Sequence, residues 1–372
     1  MARILYGVAG EGFGHSSRSH LIGQWLLNAG HDVQFVASRR SHRYLSRYYP
    51  DRVQESFGLS LGYSNGSLNR VRTVTANVAN LLRTSTAHGR SFSDMVEQFQ
   101  PDLVITDFEP LCAWWAWYNN IPFISIDHEH MLTMCELEHP LGHFVSRYTA
   151  DMVTRLFYVG ASAYLILNFF ETAMKSNRAI AAPPVVRDVV RRFQPSRGGH
   201  FVFYSTDRTV KDKLLGILRR FPRQVFHIYG FDQDAKYGNC QFRKTDTEAF
   251  LQDLASCRAV IATAGFSLLS ECLYYRKRML LLPILGQYEQ MINAWYVEKL
   301  GLGRCANHLD AAELEDFLST MTEPWEPADN VVWPDNERFF ATFERVLAEV
   351  QNSPPAGRLW SRGRLATAMH SL

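Results

Sequence analysis

Short apolar runs alternate with longer amphipathic stretches along most of this chain, and glycine or proline separates them. Arg3–Val8 is apolar and strand-length. A Gly-rich turn follows, then a helical pattern through Leu21, Trp25 and Leu26. Gly30 is placed to end that helix, because the residue past a helix terminus often takes left-handed backbone. His31–Ala37 predicts a second strand, Leu103–Thr106 a third after the break at Pro101 and Asp102, and Pro122–Ile126 a fourth. Strands that alternate with helical stretches predict an α/β fold with a parallel, doubly wound sheet.

The pattern pauses at Ala181–Gly199, where Pro183, Pro184, Pro195, Gly198 and Gly199 read as a linker. It then restarts. His200–Tyr204, Gln224–Tyr229, Ala259–Ala262 and Met279–Leu282 predict strands, and Lys211–Phe221, Phe250–Cys257, Ser267–Tyr275 and Tyr288–Lys299 predict helices. Glu337–Glu349 is a further amphipathic helix, and Asn352–Leu372 reads as a mobile tail. A chain of 372 residues with this pattern suits two α/β domains rather than one core, without close repetition between the halves.

Composition narrows the classes. With 47% hydrophobic and 20% charged residues the chain is globular, and a net charge of +2 gives no global field for nucleic acid, so no nucleic-acid partner is expected. The six cysteines Cys112, Cys135, Cys240, Cys257, Cys272 and Cys305 form no CxxC pair and mostly sit in apolar runs, which favours buried thiols in a reducing cytosol over a disulfide or zinc site. No signal-peptide pattern opens the chain, and no stretch reaches the roughly 20 apolar residues that span a bilayer. The nearest, Leu156–Phe170, is bounded by Arg155 and Glu171 and reads as a buried helix or a surface-docking element. A cytoplasmic protein is expected, with the inner face of a membrane as the alternative location.

Two segments carry candidate chemistry. Gly10, Gly12 and Gly14 follow the first strand, and His15 follows them. A Gly-rich turn at a helix N-terminus exposes backbone N–H groups to anions. The spacing G-x-G-x-G is one residue short of the dinucleotide fingerprint, and Ser38, Arg39 and Arg40 end the second strand without a ribose-binding carboxylate. Those arginines leave an NADP oxidoreductase open as a minor alternative. His15 titrates near neutrality and sits where ligands enter open α/β sheets, so it is a candidate proton acceptor, against a structural imidazole in the turn.

The second segment runs from Thr263 to Asn293. Gly265, Phe266 and Ser267 open a helix whose free N–H groups and hydroxyl suit a diphosphate. Glu271 lies one turn beyond, on the same face, within reach of ribose hydroxyls. Gln287, Gln290 and Asn293 recur every three residues after Pro283, so their amides are placed to bind sugar hydroxyls. Taken singly, each has an ordinary explanation: a cap, a solvated carboxylate, polar surface. Their order around one strand is what points to a nucleotide-sugar site.

That order resembles the donor-binding signature of GT-B glycosyltransferases, and is similar to the group of the peptidoglycan lipid-intermediate N-acetylglucosaminyltransferase and the UDP-glucuronosyltransferase-like enzymes (family 28-like). Gly10-x-Gly-x-Gly-His15 resembles that group's acceptor-side loop. The resemblance departs at Thr263-Ala264, where relatives carry glycine or histidine, and at Ser205-Thr206-Asp207, where they carry a glycine-rich turn. It implies two Rossmann-like domains facing a cleft: an acceptor-side domain over 1–182, a donor-binding domain over 183–334, a helix over 335–352 crossing back, and a flexible tail over 353–372. It also implies inverting transfer of a hexose-type sugar from a nucleoside diphosphate, with uridine the first choice of base, to a glycan, lipid-linked or small-molecule acceptor. His15 or a nearby carboxylate such as Asp107 serves as base, with Asp127, His128 and Glu129 placed to bind acceptor or orient His15. Ser205 and Thr206 join Gly265, Phe266 and Ser267 at the phosphates, and the backbone near Ile228–Phe231 reads the base. No DxD motif occurs, so neither metal nor cofactor is expected; Asp127-His128-Glu129-His130 are consecutive and diverge too much for a shared metal. The cluster Trp114, Trp115 and Trp117 and the apolar run after it suit either a lipid-linked acceptor at a membrane or a packed core helix. A nucleotide-sugar epimerase or hydrolase and a non-catalytic binder are the alternatives.

Overall fold

The computed structural model describes residues 1–10, 12–56, 63–64, 67–68, 91–157, 160–244 and 246–352. The expected tail over 353–372 lies outside them. Two seven-stranded sheets organise the chain. The N-terminal sheet runs in the order Val53–Glu55, Asp32–Ala37, Arg3–Val8, Leu103–Asp107, Phe123–Asp127, Ala163–Leu167, Ala179–Ala182, with every neighbouring pair parallel. Leu103–Asp107, Phe123–Asp127 and Ala163–Leu167 are buried at every position, because helices cover both faces of a parallel sheet. The C-terminal sheet is ordered Ala235–Tyr237, Cys240–Phe242, Val225–Tyr229, His200–Tyr204, Ala259–Ala262, Arg278–Leu281, Gly303–Cys305. Its one antiparallel pair is the ribbon Ala235–Tyr237 with Cys240–Phe242, which turns at Gly238 with φ +63°.

Parallel pairing brings the strand ends to a common edge. Val8 lies beside Ala37 and Asp107 in the first sheet, and Tyr204 lies beside Tyr229 and Ala262 in the second. The loops that follow these ends hold the candidate residues of both halves. The two edges meet where helix Phe13–Asn28 packs against helix Phe266–Tyr274.

The apolar run Leu156–Phe170 is not one helix. Helix Phe144–Phe157 ends within it, and Ala163–Leu167 forms a fully buried strand. Apolar runs of this length carry no periodicity that separates a buried strand from a buried helix. The proline-rich stretch Ala181–Gly199 is likewise docked rather than loose. Val186 and Val190 are buried, Tyr275 donates to the Val190 carbonyl at 2.6 Å, and Ser196 N–H donates to the Ala255 carbonyl at 2.9 Å. No helix among the described residues is long and apolar enough to cross a membrane.

Helix Asn336–Asn352 lies on the N-terminal sheet, against Phe123–Asp127, Ala163–Leu167 and Ala179–Ala182. Its buried stripe of Phe339, Phe343, Val346, Leu347 and Val350 meets Trp25, which stacks on Phe340 at 5.3 Å and packs against Phe343 at 5.4 Å. Phe343 is fully buried, so Phe343→Ala is expected to cost about 3–5 kcal/mol in a denaturant melt. A loss below about 1 kcal/mol shows that the helix is not docked in solution.

Candidate functional site

The site begins with a carboxylate that has left water. Asp107, the last residue of its strand, is completely buried, and a buried charge must be answered locally. Helix Phe13–Asn28 answers it: Arg18 donates through Nε to Oδ2 at 2.8 Å and through NH2 to Oδ1 at 2.5 Å, and Ser19 Oγ donates to Oδ2 at 3.2 Å. Burial opposes the Asp107 charge, but Arg18 and then His15 outweigh it and hold the carboxyl below its usual range.

His15 stands in the first turn of the same helix. Its Nδ1–H donates to Asp107 Oδ1 at 2.7 Å, since an ionised carboxylate only accepts, and this points Nε2 away from the sheet. Glu129 Oε1 lies 3.3 Å from that Nε2. Burial works against a charged ring, yet Glu129 and Asp107 prevail and raise His15 to about 9. Glu129 is itself pushed up by burial. Glu289, reaching in from helix Tyr288–Lys299, is pushed up to about 8, first by burial and then by the charge of Glu129.

The other acceptor-side expectations separate. Asp127 does not face the cleft: it is 1% exposed, accepts from Ser125 Oγ at 2.7 Å and from His130, and is held at about 2 by His130 and hydrogen bonds against the opposing effect of burial. His128 crosses to the other half. Its Nδ1 donates to the Leu167 carbonyl at 2.7 Å, its Nε2 lies 2.8 Å from the Asn293 amide, and its ring stacks on Phe266 at 3.7 Å. Burial lowers this ring to about 4.

Across the junction the two helix starts converge. Gly12 has φ +81° and nothing near its missing side chain, so glycine is needed there for backbone conformation. Gly10 and Gly14 are needed for space, because a Cβ at Gly10 meets Ser38 Oγ and one at Gly14 meets Ser267 Oγ. Neither helix Phe13–Asn28 nor helix Phe266–Tyr274 has a side-chain cap, so both present backbone N–H groups at this place. A small cavity between the halves is lined by Gly14, Arg18, Arg187, Phe266, Ser267 and Glu271.

The remaining donor-side expectations are mixed. Gly265 is the residue before helix Phe266–Tyr274, in extended conformation. Glu271 lies one turn beyond Ser267 but is already ion-paired with Arg187 at 2.7 Å. Burial raises its carboxyl, and Arg187 opposes this. Ser205 is buried and Thr206 exposed at the end of strand His200–Tyr204. Gln287 is the N-cap residue of helix Tyr288–Lys299, and Gln290 accepts from Ile284 N–H at 3.1 Å, bracing the loop after Pro283. Asn293 does not reach the open cleft. It is 0% exposed, and its amide donates to the Ala264 carbonyl at 3.1 Å while meeting His128. Helical spacing carried it past the mouth of the cleft and into the joint between halves.

Arg18, Arg187, Glu129 and Glu289 complete the charge pattern. Glu129 was legible beside His128, and Arg18 lies one turn after His15; Arg187 and Glu289 needed the fold. Among the described residues, His200, His227 and Asp253 group as metal-type side chains, away from this edge; Asp253 there accepts from His227 at 2.8 Å and Tyr229 at 2.6 Å and pairs with Arg243 at 2.8 Å. Trp114 and Trp117 are about half exposed, while Trp115 packs on the core.

Two stability predictions follow from this geometry. His15 is raised from 6.5 to about 9, so its contribution is complete below the unfolded value and lost as pH rises through the folded one. Denaturant melts near pH 6 and near pH 9.5 are expected to differ by up to about 3 kcal/mol from this group, and His15→Gln is expected to flatten that window. Asn293→Ala unpairs the Ala264 carbonyl and His128, an expected loss of about 1–3 kcal/mol; an unchanged melt excludes the bridge.

Comparison with known proteins gives the family and the fold. The family described as Glycosyl transferase family 1 matches residues 2–322. An uncharacterized glycosyltransferase of Methanosarcina acetivorans is 23% identical over 354 residues, covering 84% of this chain and 87% of the relative. The kitacinnamycin glycotransferase superposes with TM-score 0.61 at 13% identity, over 94% of this chain and 96% of its own. The spinosyn rhamnosyltransferase SpnG complexed with thymidine diphosphate does so with TM-score 0.56 at 13% identity, over 99% and 100%. LpCGTa in complex with UDP does so with TM-score 0.57 at 15% identity, over 94% of each chain. These likenesses establish the GT-B fold. With the family match running through both sheets and the junction between them, the chain belongs to glycosyl transferase family 1 and is a glycosyltransferase.

Proposed function

We propose that the enzyme transfers a hexose-type sugar from a nucleoside diphosphate to an acceptor hydroxyl, with inversion at the anomeric carbon and without a metal ion. The observation that carries this reading is the convergence, at one junction, of two uncapped helix N-termini and an imidazole oriented by a buried carboxylate. In this reading His15 acts in its neutral form: once Nε2 has lost its proton to solvent, it takes the proton of the acceptor hydroxyl as that oxygen attacks the anomeric carbon. The sugar–phosphate bond breaks on the opposite face, and its electron pair leaves with the diphosphate. Asp107 orients the imidazole.

The leaving diphosphate is stabilised by backbone N–H groups at Gly12–Gly14 and Gly265–Ser267, by the Ser267 hydroxyl, and by Ser205 and Thr206. Fixed dipoles in a partly dry cleft replace the metal's role in stabilising the developing charge. Glu271 takes the ribose by exchanging Arg187 for two hydroxyls, and the freed guanidinium is then next to the phosphates. Gln287 and Gln290 hold the sugar, and the backbone at Ile228–Phe231 reads the base. The division into a 1–182 acceptor side and a 183–334 donor side belongs to the same proposal. Uridine and thymidine diphosphates head the donors to test, because UDP accompanies LpCGTa and thymidine diphosphate accompanies SpnG. The half-exposed Trp114 and Trp117 support an apolar or lipid-linked acceptor, with a membrane-surface contact as its corollary. Cysteines that are all unpaired support a cytoplasmic location.

Thermal-shift titration with UDP, dTDP, GDP and NADPH, each with and without chelator, tests the donor side. Stabilisation by one nucleoside diphosphate, unchanged by chelator, is expected; stabilisation by NADPH alone overturns the reading. His15→Ala is expected to lower kcat by about 10²–10⁴ and to leave nucleotide affinity within about twofold. Donor consumed at full rate without any acceptor identifies a hydrolase or epimerase instead.

A further inference from the structure

The charges around His15 do not pair as a simple carboxylate–imidazole couple. Asp107 carries one negative charge, and the Arg18 guanidinium grips both its oxygens, with side chains 0% and 7% exposed. One buried anion is thus already balanced by one buried cation. The hydrogen bond from His15 Nδ1 to Asp107 orients the ring, but Arg18 NH2 also lies 3.4 Å from that same nitrogen. Arg18 therefore offsets part of the attraction that Asp107 exerts on a ring cation.

The other ring nitrogen is different. Nε2 faces Glu129 Oε1 at 3.3 Å, with His15 16% and Glu129 13% exposed. With Nδ1–H spent on Asp107, a neutral ring presents a lone pair at Nε2, and a lone pair repels a carboxylate. The contact is favourable when Nε2 also carries a proton. The remaining charged groups of the cleft leave this role to Glu129. Asp127 is engaged with His130 and Ser125. Glu289 acts on the cluster from the opposite half, first through repulsion with Glu129 and then through attraction to His15, and is not among the groups that raise the ring most.

We propose that Glu129 is the positioning residue that supplies the larger share of the compensating negative charge for His15, while Asp107, whose charge is shared with Arg18, chiefly sets the orientation of the ring. This rests on the reading of His15 as the base. It adds that the proton taken from the acceptor is held at Nε2 by Glu129, and that an incoming acceptor hydroxyl has to take the place Glu129 occupies on that nitrogen.

The test needs neither donor nor acceptor. Histidine-ring ¹⁵N–¹H spectra of the full chain, with His15→Gln to assign the signal, read the His15 pKa directly. Glu129→Gln is expected to lower it by at least about one unit, a tenfold change in proton affinity. Glu289→Gln replaces the other carboxyl of the same cleft and is expected to shift it less. Equal shifts from the two variants, or a shift below roughly 0.3 unit for Glu129→Gln, overturn the proposal. Should Glu129→Gln not fold, Glu129→Asp draws the carboxylate back by one methylene and carries the same comparison. Where turnover is measured, the acid limb of kcat against pH is expected to move down with the ring pKa. A chain that shows the expected titration but transfers no sugar keeps the pairing and loses the proposed reaction; the converse result loses the pairing alone.

Discussion

A carboxylate buried at the end of a strand is the constraint around which the cleft is arranged. Asp107 cannot stay ionised without partners, and among the described residues its side-chain hydrogen-bond partners come from the first two turns of helix Phe13–Asn28. Satisfying that charge sets how this helix sits on the sheet edge. The same contacts aim His15 across the cleft and place the helix start, with its free N–H groups, against the opposite half. Desolvation, which makes Asp107 costly alone, also makes its pairing with Arg18 strong enough to order the turn.

The joint between the halves follows from close approach. Gly14 and Ser267 leave no room for a side chain between the two helix starts. Around that contact, His128 stacks on Phe266 and meets Asn293, Phe170 stacks on Tyr296 at 3.7 Å, and Tyr288 and Tyr296 hydrogen-bond to His139 and to the backbone of Glu138. Apolar and neutral contacts, with the ion pair Lys299–Glu138 at the rim, thus hold the halves, while the other charged groups gather beside them. The ion pair Arg187–Glu271 and the contact His15–Glu129 lie beside the joint rather than within it.

The local periods of the chain were enough to find most of the frame. The strands at Arg3–Val8, His200–Tyr204 and Ala259–Ala262, and the helices that follow Gly12 and Gly265, are readable from apolar runs bounded by glycine. Where the period vanishes, reading fails: Leu156–Phe170 is apolar throughout, and its strand is decided by pairing with Phe123–Asp127 and Ala179–Ala182. The docked course of Ala181–Gly199 was equally hidden, because proline and glycine report backbone stiffness and not what a segment packs against.

Residue type and order in the sequence were sufficient to name the GT-B fold, a glycosyltransferase and the two segments that meet at the cleft, since glycines, helix starts and strand ends are local features; they did not name the family 1 membership. Which side chain meets which was decided by contacts between residues far apart in the chain. Asn293 shares the three-residue spacing of Gln287 and Gln290, yet packing turns it into the joint. Asp127 and Glu129 are two residues apart, and one is locked beneath the sheet edge while the other reaches His15. Arg187 and Glu271 are separated by 84 positions and meet as an ion pair. Charge compensation under burial acts through space, so only the folded chain assigns each carboxylate its partner.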